Sequence, residues 1–333
     1  MRFELSEDQQ EIQRTARELL AERSSFAQVR AAAEARREDD ALWGELRELG
    51  WPGIAIGEAH GGSGLGVIEL AAIAEELGRA VTPVPFLGTA LAGLVVQHDG
   101  DDEQRERWLP GLASGELRGA VTLPGDATPV PGAADEGLVV VATADGPLLH
   151  APGSGVATAV DAIDPTRGHG RVAATAPAAT DGGPGGGLDR AAVVVAAELV
   201  GVLQRALDLT VAYVKDRKQF GVPVGSFQAV KHEAAQMLRD VEVARVLVAN
   251  AAWVADAGEP DALAPAAALA KAAASAAGRR VGAQAIQLHG GIGFTWEADL
   301  HWLFKRAHVD AVLLGGAGHH RRRIARHAAA AVA

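Results

Sequence analysis

Apolar residues recur at helical spacing through the first third of the chain. Ser6-Glu7-Asp8-Gln9 carries a capping-box signature, in which the Ser6 hydroxyl takes the amide three residues on and Gln9 reaches back. Ile12, Ala16, Leu19 and Leu20 extend one apolar stripe from it. Gly50 and Pro52 stop a short helix that carries Trp43 and Leu46, and the run Gly61-Gly62-Ser63-Gly64 predicts a flexible loop. Helices resume over IELAAIAEELG, near Leu87 to Gln97, and at EQRERWLPGLASG.

From about residue 116 to 187 the pattern changes. LVVVATA and PLLHA predict short strands between Gly/Pro turns. The stretch ends in the low-complexity run DGGPGGG, and no aromatic residue occurs between Trp108 and Tyr213. A small, eroded β unit with a mobile part is the expectation.

From Leu188 the helical period returns. LDRAAVVVAAELVGVLQRALDLTVAYVKDRK is one long periodic stretch, and Ser226 is placed to cap a second, which Gly258-Glu259-Pro260 ends. A third, alanine-rich helix is expected from about Pro265 to Leu288, a short one from about Asp299 to His308, and a terminal one after Gly316. Three long antiparallel helices plus a terminal one predict a four-helix bundle. The expected fold is mostly α with a small β middle domain: an N-terminal helical domain over 1–115, a reduced β domain over 116–187 and a C-terminal bundle over 188–333.

Composition narrows the function. With 31 basic against 42 acidic residues the formal net charge is -11, which disfavours nucleic acid and anionic membranes as partners. The absence of cysteine excludes disulfides, thiolate metal sites and cysteine nucleophiles. No run of 18 apolar residues predicts a membrane span, and the charged start MRFELSEDQQ lacks a signal-peptide core, so a soluble cytoplasmic protein is expected.

Two segments carry candidate chemistry. In the first, RKQFGVPVGSFQ, Arg217 closes one long helix and Phe227-Gln228 opens the next. A guanidinium there can fork onto a pyrophosphate, and free amides at a helix start favour anions. Phe220 offers a flat face to an adenine or flavin ring. In the second, QLHGGIGFTWE, Gly290 and Gly291 allow close backbone approach to a ligand, and Gln287 supplies a two-way amide. Each residue alone also has a plain structural reading: Arg217 as a helix cap, the glycines as a helix end, Phe220 and Phe227 as core. Together they suit a dinucleotide held across helix ends.

RKQFGVPVGSFQAVKH and QLHGGIGFTWEADLHWLFKRA resemble the Arg-x-Gln-Phe-Gly … Phe-Gln and Gln-x-x-Gly-Gly-x-Gly segments of the acyl-CoA dehydrogenase family. ELRELGWPGIAIGEAHGGSGLG and AEELGRA resemble its first helical domain, and the second segment looks like an actinobacterial steroid and fatty-acid branch. The resemblance covers roughly residues 3–115 and 188–330. It implies FAD as cofactor, α,β-desaturation of an acyl-CoA substrate with a Glu as base and flavin N5 as hydride acceptor, and an electron-transfer flavoprotein as electron acceptor. Carried over residue by residue, it implies that Arg217, Gln219, Phe220, Phe227, Gln228, Gln287, Gly290 and Gly291 face FAD.

The chain departs from that pattern at the base. The family's Glu-Gly-Thr segment falls on Leu314-Gly315-Gly316-Ala317, with Gly315 or Leu314 at the Glu position and Ala317 at the Thr position. The alternative base position of some relatives falls near Ala191, with Asp189 and Glu198 as nearby carboxylates, although Glu198 also reads as a solvated or interface residue. The family's β-domain Gly-Ser-Asp and Trp-Ile-Thr segments have no match.

The retained set faces the ADP half of a neighbour's FAD in that family, and the lost set faces flavin ring and substrate. The expectation is therefore a non-catalytic subunit of an α2β2 heteromer, donating to a catalytic partner. The alternatives are a self-sufficient homo-oligomer with a relocated base and a cofactor-free helical scaffold. His301, His308, His319 and His320 lack the carboxylate or cysteine company of a metal site, and the His-His-Arg-Arg-Arg run reads as neutralising phosphate or facing water.

Overall fold

In the computed structural model, which describes residues 4–126, 128–133, 136–173 and 183–330, the capping box at Ser6 is formed. The Gln9 amide donates to Ser6 Oγ at 3.2 Å, and the Ser6 amide donates to Gln9 Oε1 at 2.9 Å. Two of the amides left free at a helix start are thereby satisfied. Helix α1 (Glu7–Arg23) follows, then α2 (Phe26–Ala35), α3 (Asp40–Glu48), α4 (Val67–Ala80), α5 (Phe86–Asp99) and α6 (Asp102–Ala113). Every residue of α5 from Phe86 to Val96 is buried, as befits a helix apolar on all sides.

The glycine run at 61–64 is pinned rather than flexible. The Ser63 and Gly64 amides donate to the carbonyls of Gly53 and Ile56 at 3.0 and 2.8 Å. A Cβ on Gly62 would sit 2.1 Å from the Ile56 carbonyl oxygen, so glycine serves close approach here, not freedom.

Six short strands follow: β1 (Gly119–Thr122), β2 (Val130–Pro131), β3 (Leu138–Thr143), β4 (Gly146–His150), β5 (Ala157–Ala159) and β6 (His169–Val172). β1 pairs parallel with β3, Gly119 opposite Leu138, and β3 pairs antiparallel with β4. A second sheet has the order β2-β6-β5 and is antiparallel. The two strands expected from LVVVATA and PLLHA are β3 and β4. The first sheet rests on α5, where a Cβ on Gly88 would meet the Gly119 carbonyl oxygen at 2.3 Å. The expected mobile stretch falls in part on residues 174–182, which lie outside the described residues.

The C-terminal part holds α7 (Gly187–Asp216), α8 (Gln228–Ala257), α9 (Pro260–His289), α10 (Leu300–Asp310) and α11 (Ala317–Ala330). The mostly helical fold, its small β part and the C-terminal bundle agree with the sequence reading. Two details differ. Helix α9 starts at Pro260, not near Pro265, because a proline at the first helical position lacks only an amide that has no partner within the helix. Ser226 does not cap α8. Its hydroxyl donates to the Pro223 carbonyl at 2.7 Å within a short 3-10 turn, and Phe227 takes the N-cap.

Two glycines set the packing that positions the site. Cβ atoms on Gly78 and Gly201 would lie 2.1 and 1.8 Å from the carbonyl oxygens of Glu198 and Glu75, so α4 and α7 cross with their backbones in contact. The Tyr213 and His289 rings stack with centroids 4.5 Å apart. The C-terminal ends of α7 and α9 therefore lie at the same end of the bundle.

Candidate functional site

Between α7 and α8 the chain makes a tight hairpin. β7 (Lys218–Gln219) pairs antiparallel with β8 (Val222–Pro223), leaving Phe220 and Gly221 as the turn. Their φ angles are 52° and 83°. Positive φ at both positions is the two-residue hairpin solution that matches strand twist, and it suits glycine. For phenylalanine it costs on the order of 1–3 kcal/mol. Burial offsets none of that cost within the chain, because Phe220 is 93% exposed. It stands edge-on to Phe227, itself 40% exposed, with centroids 6.3 Å apart. Neither ring is core.

Arg217 is the C-cap of α7, and its amide donates to the Tyr213 carbonyl at 2.9 Å while its side chain is exposed. Gln219 is exposed and donates to the Lys218 carbonyl at 2.8 Å. Gln228 is exposed as the first residue of α8, and Gln287 is exposed in the last turn of α9. Gly290 ends α9 with φ 63°, and a Cβ on Gly290 or Gly291 would meet nothing within 4 Å. That backbone edge is open to an approaching group.

The Tyr213–His289 stack joins the two segments. His289 Nδ1 donates to the Ala285 carbonyl at 2.8 Å, and burial pulls its pKa down, so the ring is the neutral Nδ1–H form at neutral pH. Ile292, Phe294 and Trp296 add 37%, 83% and 66% exposed apolar surface beside the glycines. Lys305 Nζ lies 4.4 Å from the Trp296 ring centroid. Phe294 and Trp296 were not among the expected contacts. Their only sequence signal is their place just past the glycine turn. Exposed aromatics clustered with a cation and an open backbone edge mark a binding surface rather than a core.

The two carboxylates near the alternative base position are committed elsewhere. Asp189 accepts from Arg323 Nη2 at 2.6 Å, with both side chains buried. Glu198 is neither solvated nor exposed at an interface. It is buried in ion pairs with Arg167 and with Arg306, whose Nη1 lies 3.2 Å away. Arg306 also donates to Asp164 Oδ2 and Thr166 Oγ1, each at 2.5 Å. Burial acts to raise the Asp164 pKa, but Arg306 and Arg167 override it and hold the carboxyl well below the usual range. Burial and the neighbouring Arg306 pull Arg167 down to about 10. A general base needs a lone pair within reach of the substrate proton, and Asp189 and Glu198, 3% and 2% exposed, are shut away from any approaching substrate.

The loop after α10 holds no base either. Leu314 and Gly315 have φ of 54° and 92°, and a Cβ on Gly315 would lie 2.7 Å from the His319 ring. Fully buried Lys271 lies beneath the loop. Its Nζ donates to Ser275 Oγ at 2.9 Å and to the carbonyls of Asp310 and Gly315 at 3.0 and 3.3 Å. Burial pulls the ammonium down to about 7, with Asp310 offsetting in part. The unfolded chain keeps that proton up to about pH 10.4, so between about 7 and 10 it binds more protons and stability rises with pH. The rise is up to about 1.4 kcal/mol per pH unit from this group. Denaturant titrations of wild type and Lys271→Met across that window check it. Parallel stability–pH curves would show that Lys271 titrates normally.

Of the histidines, His319 and His320 stand edge-on with ring centroids 5.0 Å apart. His301 packs against the Trp302 and Trp296 rings at 4.1 and 4.6 Å, and burial pulls it down to about 4. His308 Nδ1 donates to the Phe304 carbonyl, and His320 Nε2 lies 3.1 Å from the Leu314 carbonyl. His320 and Arg323 are buried, so only part of the His-His-Arg-Arg-Arg run faces water. Among the described residues no group of three His, Cys, Asp or Glu is arranged to hold a metal, and no helix is long and apolar enough to cross a membrane.

Comparison with known proteins follows the same division of the chain. A family model of the acyl-CoA dehydrogenase N-terminal domain matches residues 6–116, and one of the C-terminal domain matches residues 185–329. Acyl-CoA dehydrogenase IpdE2 of Mycobacterium tuberculosis (strain ATCC 25618 / H37Rv) is 39% identical over 312 residues, spanning 92% of this chain and 93% of that protein. Among solved structures, the Tcur3481-Tcur3483 steroid ACAD G363A variant superposes with a TM-score of 0.83 at 31% identity, covering 98% of this chain and 99% of that one. The ChsE4-ChsE5 complex from Mycobacterium tuberculosis gives a TM-score of 0.82 at 27% identity, with 99% of each chain covered.

Proposed function

We propose that this chain, which belongs to the acyl-CoA dehydrogenase family, is a subunit of a heteromeric enzyme of that family and supplies contacts to the ADP half of an FAD held mainly by a catalytic partner. The observation that carries the reading is the hairpin tip. Phe220 keeps a strained backbone and an almost fully exposed ring, which the isolated chain has no reason to maintain. A group that lies outside the chain rewards it.

The donor set fits that group. Arg217 offers an uncommitted guanidinium fork for a pyrophosphate, Phe220 and Phe227 offer ring faces, and Gly290 and Gly291 offer an unobstructed backbone edge. Gln219, Gln228 and Gln287 add side-chain amides at the same end. FAD, when bound, accepts the hydride of acyl-CoA α,β-desaturation, and an electron-transfer flavoprotein drains it. This chain binds and orients the far half of the cofactor. Asp189 and Glu198 are tied up in buried ion pairs, which weighs against a self-sufficient homo-oligomer. The likeness to the ChsE4-ChsE5 complex supports two different chains. The corresponding organisation is a helical domain over 1–115, a reduced β domain over 116–187 and a bundle over 188–333.

Expressing the chain alone and beside a base-containing acyl-CoA dehydrogenase tests this directly. The expected result is a colourless chain alone and a yellow complex with one FAD per pair of chains by absorbance and size-exclusion mass. A chain that is yellow alone and bleached by an acyl-CoA overturns it.

A further inference from the structure

Two turns back along α7 from Tyr213, Arg205 stands at a crevice between α7 and the N-terminal helices. The crevice has a volume of about 330 Å³, and its lining includes Arg17, Ser25, Phe26, Arg79, Arg205 and one carboxylate, Glu76. Two of the three guanidiniums are answered: Arg17 pairs with Glu76 at 2.6 Å and Arg79 with Asp208 at 2.7 Å. Arg205 is not. Among the described residues no carboxylate forms an ion pair with it and no oxygen accepts from it, and its Cζ lies 5.6 Å from the Phe26 ring centroid.

An arginine cannot escape such a place by losing its proton under ordinary conditions. Arg205 is half-buried, and burial and the adjacent Arg79 both act against its charge, with Asp208 offsetting only in part. The start of α2 at Phe26 adds the positive end of a helix dipole to the same wall. The local charge is thus one cation in excess, held in a concave site.

We propose that this crevice is a phosphate-binding site, in which Arg205 forks onto a phosphate group of a small-molecule ligand with Arg17 and Arg79 as flanking charge. A planar guanidinium suits bidentate phosphate binding, and the combined positive field favours a dianion over a carboxylate. The volume leaves room for an organic group beside the phosphate, against Phe26. Arg205 and Phe26 also line a neighbouring hollow with Tyr213, His289 and Ile292, so the crevice adjoins the proposed cofactor surface.

The test uses the full chain alone, with inorganic phosphate and ADP as probes, titrated calorimetrically against chloride at equal ionic strength. Wild type binds both probes, and Arg205→Gln binds each at least about 10-fold more weakly, the loss of a charge-assisted hydrogen bond. Arg205→Lys falls between, and Arg107→Gln, at an exposed arginine outside the crevice, binds like wild type. With the Arg217 surface disabled by Arg217→Gln, ADP tighter than phosphate identifies a nucleotide ligand stacked on Phe26, and equal affinity identifies free phosphate. In chloride alone, Arg205→Gln melts at or above the wild-type temperature, because the excess cation is gone. No phosphate binding by wild type, or equal binding by Arg205→Gln, overturns the proposal, and the wild-type arm decides even if the variant fails to fold.

Discussion

Replacing Arg306 with methionine should lower the melting temperature by on the order of 10 °C. The guanidinium is fully buried and holds Asp164, Glu198 and Thr166 at once, with the Thr82 carbonyl at 3.4 Å. Methionine fills much of the volume but leaves Asp164 and Glu198 buried beside Arg167, which also faces the buried carboxylate of Asp310 at 3.7 Å. Removing one partner of a buried ion pair costs about 3–5 kcal/mol, because the charge left behind stays out of water. At roughly 2–4 °C per kcal/mol for a chain of 150–250 residues, and toward the low end for one this long, the shift is about 6–10 °C. Arg306→Lys keeps the charge but cannot fork to three acceptors, so it falls between the two. The acid limb gives a second readout. The Asp164 pKa is depressed in the folded state, so its stabilising contribution is present above the unfolded value near 3.9 and is lost as pH falls toward the folded value. Arg306→Met should flatten that limb. A shift of only one or two degrees with an unchanged acid limb would mean that the cluster is not what joins α7, α10 and the 164–167 segment.

What could be read in the sequence was local. The Ser6 capping box closes over three residues, and the chain around it carries the whole signal. The long helices α7, α8 and α9 declare themselves by period, because a bundle helix must present an apolar stripe whatever it packs against. Arg217 and Gly290 fall where helices end, as their neighbours in sequence imply. The fate of Glu198 was out of reach. Its partners Arg167 and Arg306 lie 31 and 108 residues away, and the partner of Asp189 lies 134 residues away. A charged residue on an apolar helix reads equally as a base, a surface group or half of a buried pair until the fold brings its partner. Ser226 failed for a smaller reason: a short 3-10 turn over Val224–Ser226 puts it one residue before the N-cap, where its hydroxyl donates to the Pro223 carbonyl instead of accepting from a helix amide. The strain at Phe220 was invisible too, since a Gln-Phe-Gly-Val run does not state which two residues form the turn.

The hairpin supports the sharpest functional prediction, because its effects on chain and complex run in different directions. Arg217→Ala removes an exposed side chain, so the isolated chain should keep its stability to within about 0.5 kcal/mol. In the flavin-containing complex the same change removes a bidentate, charge-assisted contact to the pyrophosphate. Charged hydrogen bonds contribute about 1.5–3 kcal/mol each, so FAD affinity should fall by about 10- to 100-fold or more, read as flavin lost on gel filtration. Arg217→Lys keeps a charge but not the fork and should recover only part. Phe220→Gly separates the two states further. Glycine takes φ near 52° without strain, so the isolated chain should become slightly more stable, while the complex loses an aromatic contact and holds FAD less tightly. A surface evolved only for the fold would show the first effect without the second. A complex that keeps its flavin after both substitutions would place the cofactor elsewhere and leave the strain at Phe220 without a function.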